Sequence, residues 1–346
     1  MMTMLTMMTP RFLFRLAAAA VGLLALATLS ASAAVTVNLG TIAPEGTTFH
    51  RSLLELRESW RSNGVNLRLY AGGKLGGEAK MVSQMRLGSL DAAMLTATGL
   101  TEIEPSVTGL QSIPMFFRSL DEVDYVGEKL APLLEKRMEA KGFVVLFWSD
   151  AGWVYFFAKK PVLTPDDMKK TKLFVWAGDA EITELWRTQG YQPVPLETAD
   201  IVPMLDTGLI NCVPMPPFAA LAAQVSDRAP HMLELNYAVL KGALVIRKSV
   251  WDKIPAASRP ALLAAAATTG RANKAQGRAE SLKSIEALKA KGVTVHKVSP
   301  ALEEQWRAEA AKFYPKLRGR FIPEDIFAAV EKHLQEFRAS RAGARP

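Results

Sequence analysis

What most constrains this chain is a rhythm. Apolar residues alternate in "AVTVNLGTIAP" (34–44), a strand ending at Pro44, and then recur at helical spacing as Phe49, Leu53, Leu56 and Trp60. "VNLRLYAGG" alternates again through Val65, Leu67 and Leu69. It runs into the glycine turn "GGKLGGE", a Met-rich helical stretch "AKMVSQMRLG" and a third strand in "SLDAAMLTA". Strands and helices taking turns predict an α/β domain on a largely parallel sheet, because parallel neighbours need a crossover between them.

The rhythm restarts after residue 150. In "VLTPDDMKK" Thr164 is placed to cap a helix, with Pro165 at its first position and Asp167 at its third. "KLFVWAG" reads as a strand, "DAEITELWRTQG" as a helix ending at Gly190, and "YQPVPLE" as a short extended segment. Strand character returns around Ala243 to Ile246, so the second α/β unit is inserted into the first. "SRPALLAAAATTGRANKAQGRAESLKSIEALKAKG" is the longest helical candidate, with Ser258 to cap it, Pro260 in its first turn and Gly292 to end it. About 33 residues at ~1.5 Å each give roughly 50 Å, which is longer than one small domain and predicts contact with both units. Gly270 and Gly277 leave room for a bend, since each costs ~1 kcal/mol against alanine.

The N-terminus stands apart. Arg11 and Arg15 precede an uncharged apolar run from Leu16 to Leu29, followed by the small residues Ala31, Ser32, Ala33 and Ala34. This is the layout of a cleavable export signal. The run is short of the ~20 residues of a spanning helix, which argues against an anchor and places the mature protein in the periplasm. The expected organisation is a signal peptide at 1–33, a first domain from 34–152 plus 241–255, and a second from 153–240. The long helix takes 256–292, and a C-terminal strand and helices take 293–346. Of 346 residues, 42 Lys and Arg against 34 Asp and Glu leave a net charge of +8, spread along the chain, so nucleic-acid binding is not implied. Cys212 is the sole cysteine, which excludes an internal disulfide and reads as a small buried hydrophobe.

Chemical motifs are absent. The turn at 72–77 lacks the G-x-x-x-x-G-K-[ST] pattern of a phosphate loop, since Lys74 is followed by Leu75. Histidines 50, 231, 296 and 333 show no metal-ligand spacing, and no nucleophile elbow occurs. The expectation is no enzyme, no cofactor and no metal. What the chain does concentrate is ring surface. "WSDAGWVYFF" (148–157) carries Trp153, Tyr155 and Phe157 on one side of a strand, and Val154 and Phe156 on the other. Such a strand is either core or the wall of a cleft between domains, where ligand sites concentrate.

Four stretches in order, "GTIAPEGTTFH", "GGKLGGEAKMVSQMRLGSLDAAML", "KKPVLTPDDMKKTKLFV" and "GYQPVPLETADIVPMLDTGLIN", resemble the solute-binding proteins of TRAP transporters, of DctP type. The likeness covers about residues 36–250. It implies a two-domain periplasmic binding protein of type II-like α/β fold, with a central ligand cleft and a long domain-spanning helix. It also implies delivery of a small organic solute to the small and large subunits of a membrane permease, the receptor itself being a monomer. Members usually carry a carboxylate-clamping arginine in the strand after the "TP-D-L-K" helix; here Phe174 stands in its place. A second arginine often follows the G-[WF] pair, where this chain has Val154, and Met215 stands near a usual asparagine. The expected site is therefore ring-lined: Phe174 and Trp176 on one strand, Trp153 and Tyr155 on another, Met215, and the polar Glu78 and Thr96. Alternatives stay open: the rings as core, a clamp supplied by Arg51, Arg86 or Arg187, a sensor or lipid carrier, or an enzyme on the same fold.

Overall fold

The computed structural model describes residues 35–177 and 180–342; the export signal expected at 1–33 lies outside them. Among the described residues nine strands form one sheet: β1 Val35–Thr41, β2 Val65–Tyr70, β3 Ala92–Thr96, β4 Phe143–Ala158, β5 Lys172–Trp176, β6 Gln192–Leu196, β7 Cys212–Met215, β8 His231–Arg247 and β9 Thr294–Lys297. Their order is β2-β1-β3-β8-β4-β7-β5-β6, with β9 pairing β8. β1 runs parallel to β2 and β3, and β5 runs parallel to β6 and β7. Each wing is thus the crossover-linked parallel unit that the strand–helix rhythm predicts. The two wings are joined by β4 and β8, an antiparallel pair of 16 and 17 residues.

These two strands are longer than sequence reading anticipates. The first half of β4 pairs with Arg247 to Lys241, and its second half with Val239 to His231. Between them the register shifts, from Asp150↔Lys241 to Trp153↔Val239. Gly152 sits in this break at φ +77°, a left-handed conformation that a side chain would strain.

Local signals are obeyed closely. Thr164 Oγ1 accepts from Asp167 N–H (3.1 Å) and the Asp167 carboxylate accepts from Thr164 N–H (3.1 Å), closing a capping box on the helix Pro165–Lys169. The long helix runs Arg259–Ala290 over 32 residues, followed by Gly292 at φ +92°. It is one continuous helix through Gly270 and Gly277. These glycines serve close approach. A Cβ on Gly270 would lie 2.7 Å from Phe147 Cβ, and one on Gly277 would lie 2.8 Å from Phe49 Cζ. The early helix residues Leu262 and Ala266 join the first wing's core with Val37, Leu53 and Trp60, while Ile285 and Leu288 join the second wing's core with Phe157, Phe174 and Val213. The other face of the second wing is covered by the helices Leu120–Ala140, Pro300–Ala311 and Glu324–Ala342, through Trp306, Phe327 and Leu134. Cys212 is buried here, and burial pushes its thiol up to about 12, as suits a hydrophobe.

Candidate functional site

A cavity of about 190 Å³ opens where the wings meet. β5 contributes Leu173 to Trp176, and the helix Ala180–Thr188 contributes Leu185 and Trp186. β4 supplies Val154 and Phe156, β8 supplies Tyr237 and Ala238, and the segment after the 3-10 helix Pro105–Leu110 supplies Gln111, Ser112 and Pro114. The rings form a connected wall. Phe156 meets Tyr237 edge-on at 5.0 Å, Trp186 meets Tyr237 at 6.2 Å, and Trp186 meets Phe313 at 5.3 Å. Among the described residues no Lys, Arg, Asp or Glu side chain lines the cavity. Tyr237 stays a neutral phenol, because burial drives its hydroxyl well above the ordinary range.

The expected site residues divide in this geometry. Phe174 and Trp176 border the cavity, their rings edge-on at 5.0 Å, although Phe174 is fully buried (0 % exposed) and is as much core as wall. Trp153, Tyr155 and Met215 are not brought to it; Tyr155 and Met215 pack in the same core as Phe174, Phe157 and Val213, and Trp153 touches the cores on both faces of the sheet. β4 therefore turns its other face, Val154 and Phe156, to the cavity. Glu78 and Thr96 meet each other instead. The Glu78 carboxylate accepts from Thr96 N–H and Oγ1–H (both 2.6 Å) and from Gly99 N–H (3.0 Å), tying down the short helix Ala97–Thr101. Burial pushes Glu78 up, against the pull of those three bonds. Thr98, next along that helix, is the residue that reaches the wall.

The three arginines considered as clamps are engaged outside the cavity. Arg51 donates to the Gly46 carbonyl and to Thr48 Oγ1 (3.1 Å), Arg86 to the Glu102 carbonyl, and Arg187 to Glu184 (3.4 Å). Buried charge gathers beside the register break. Arg278, on the long helix, donates Nε and Nη2 to the two Asp150 oxygens (2.7 Å each). It also donates Nη1 and Nη2 to Asp124 (2.9 and 2.7 Å), while Lys241 reaches Asp150 at 3.3 Å. Burial pushes Asp150 up, but the Arg278 bonds and the Lys241 and Arg278 charges outweigh it, so the carboxyl is held below its ordinary range. Lys241 is lowered, since burial outweighs its single carboxylate partner. Sequence reading missed Gln111, whose Oε1 accepts from the Lys241 backbone N–H at 2.8 Å and which lines the cavity as well. No pattern around "GLQSIP" marks it.

A model of the DctP family, the bacterial extracellular solute-binding proteins of family 7, matches residues 39–319. The chain is 24% identical over 292 residues to the C4-dicarboxylate-binding periplasmic protein DctP of Rhodobacter capsulatus, covering 82% of this chain and 85% of that one. Among solved structures, a TRAP periplasmic solute binding protein from Ralstonia eutropha H16 with bound (S)-2-acetolactate superposes with a TM-score of 0.80 at 20% identity, over 87% of this chain and 99% of the other. A TRAP periplasmic solute binding protein from Sulfurospirillum deleyianum with bound succinate superposes with a TM-score of 0.77 at 21% identity, over 86% and 99%.

Proposed function

The chain belongs to the bacterial extracellular solute-binding proteins of family 7, and from that premise we propose that it is the periplasmic solute receptor of a TRAP-type importer whose ligand is more apolar than a simple carboxylate. In this reading the solute enters the cavity between the wings and is handed to the small and large permease subunits. The observation that carries it is the neutral, ring-lined wall. The named relatives bind carboxylates or were solved with them. A carboxylate in a desolvated site needs a paired cation, because an unpaired buried charge costs several kcal/mol. Among the described residues this cavity has none. Phe174 and Val154, which the family resemblance sets at two arginine positions, both border it, and Pro214, beside Met215, borders it too. Apolar ligand surface laid on Trp176, Trp186 and Phe156 gains ~25 cal/mol per Å² buried.

The register break in β4 and β8 is the hinge in this reading, with residues 34–152 and 241–255 moving against 153–240. The test is to purify the exported protein without denaturation and identify the co-purifying small molecule by mass spectrometry. A neutral, largely apolar solute is expected. A stoichiometric sugar acid or dicarboxylate would overturn the reading.

A further inference from the structure

We propose that Gln111 determines the specificity of the cavity by presenting its amide NH2 as a fixed donor, so that the solute is a neutral ring compound bearing an uncharged oxygen acceptor, such as a ketone. This rests on the reading of the cavity as the ligand site. A backbone N–H can only donate, so the atom that meets Lys241 N–H at 2.8 Å has to be the amide oxygen of Gln111. That contact fixes the side chain's orientation and turns Nε2 away from Lys241. Nε2 has no hydrogen-bond partner among the described residues, and it is not one of the sealed, unpartnered polar atoms, which are Ser149 Oγ, Asn273 Oδ1 and Glu280 Oε2. Gln111 lines the cavity, and in this proposal its accessible donor is turned into it.

The indole N–H groups of Trp176 and Trp186 also only donate, and what sets Gln111 apart is that a backbone hydrogen bond fixes its orientation. The hydroxyls of Thr98 and Ser112 can donate or accept and rotate to suit. The Gln111 NH2 donates only, and a solute that closes the site without accepting from it leaves a buried donor unsatisfied. One neutral donor satisfies a carbonyl oxygen but does not balance a desolvated carboxylate. The position is also held firmly. Gln111 N–H donates to Thr108 O at 3.1 Å, and Lys241 is anchored through Asp150 to Arg278 on the long helix.

Acetophenone and α-methylstyrene test this, since they share a shape and differ by a carbonyl oxygen against a methylene, with benzoate as the charged counterpart. Titration calorimetry on the full exported chain should show acetophenone bound about fivefold to tenfold more tightly than α-methylstyrene, the worth of one such hydrogen bond. Gln111→Glu keeps an oxygen for Lys241 N–H but replaces the donor, and should abolish or invert that preference. Equal binding of the neutral pair by the unaltered protein, which needs no variant to fold, overturns the role of Gln111 and leaves the neutral cavity standing. So does a preference that survives in Gln111→Glu. Rejection of both neutral probes, with or without binding of benzoate, overturns the cavity reading and this inference with it.

Discussion

Replacing Arg278 by methionine should destabilise the protein more than any other single change at the strand crossing. The guanidinium makes two bidentate contacts, to Asp150 and Asp124, at 2.7 to 2.9 Å. The two carboxylates differ in what remains after its removal. Asp124 is 28% exposed and keeps Lys274 at 3.0 Å, so water and that lysine screen it. The Asp150 side chain is fully buried and keeps only Lys241 at 3.3 Å and the Gly152 N–H at 3.2 Å. Breaking a buried pair by removing one partner costs ~3–5 kcal/mol, and nearly all of it here falls on Asp150. Methionine preserves most of the side chain's apolar volume, so the loss reports charge rather than a cavity. Urea denaturation followed by far-UV circular dichroism should give a lower midpoint with an unchanged slope. The acid dependence gives a second check. Asp150 and Asp124 are both held below 3.8, so the unfolded chain binds the extra protons. Their contribution is complete above pH ~4 and is lost as pH falls through the folded values. The variant's stability should therefore fall less between pH 5 and 3 than that of the unaltered protein. A loss below about 1 kcal/mol at pH 7, with the same acid profile, would refute the idea that this network holds the long helix to the crossing.

Three further outcomes follow from the geometry. Phe174→Ala should cost ~3–5 kcal/mol of stability, because the ring is fully buried, and Phe174→Arg should cost at least as much, since it puts an unpaired charge into that core; wild-type stability in Phe174→Ala would show that the ring contributes nothing to the core. Gly270→Ala should lower the melting temperature although alanine is the better helix former by ~1 kcal/mol, since its Cβ would stand 2.7 Å from Phe147 Cβ and Cγ; a rise in melting temperature would refute the close-packing role. His231 Nδ1 and His296 Nε2 lie 3.1 Å apart, and burial, then the charge of His231, lowers His296 below the ordinary value of about 6.5; the unfolded state binds the extra proton, so thermal stability should fall as pH drops from 7 to 5 and fall less in His296→Gln, and equal slopes in the two proteins would sink this attribution.

How much of this was legible in the sequence depends on whether the controlling interactions were local. Thr164, Pro165 and Asp167 lie within one turn, and their capping box forms as read. The long helix starts and stops within two residues of its expected caps, because Pro260 and Gly292 act on their own backbone. The close approach at Gly270 and Gly277 was not legible, since a propensity scale cannot see that Phe147 and Phe49 press on them from far along the chain. The aromatic run failed in an instructive way. Alternation correctly paired Trp153 with Tyr155 and Val154 with Phe156, but both sets are apolar and both faces of the sheet are covered. Nothing in the pattern could decide which face borders the cavity. Gln111 was invisible for the same reason: its role comes from Lys241, 130 positions away.

The arrangement separates charge from the site in a way that bears on how binding could drive closure. The buried ions Asp150, Lys241 and Arg278 satisfy one another at the crossing, and among the described residues no charged side chain lines the cavity beside them. Gln111 and Thr98 precede the register break, while Trp176 and Trp186 belong to the wing beyond it. The wings also touch elsewhere: the Glu197 carboxylate lies so near the turn before Glu78 that a Cβ on Gly77 would come within 2.8 Å of it. A solute that accepts from Gln111 and lies on Trp176 and Trp186 has its full set of contacts only when both wings face it. Binding then favours that arrangement by the difference between complete and half-made contacts, and by no more. For a ring of this size the stacking surface supplies most of that difference at ~25 cal/mol per Å². The single amide donor supplies direction. Affinity and closure would therefore follow the apolar area of the solute, while selectivity among solutes of equal area would follow the placement of one oxygen atom.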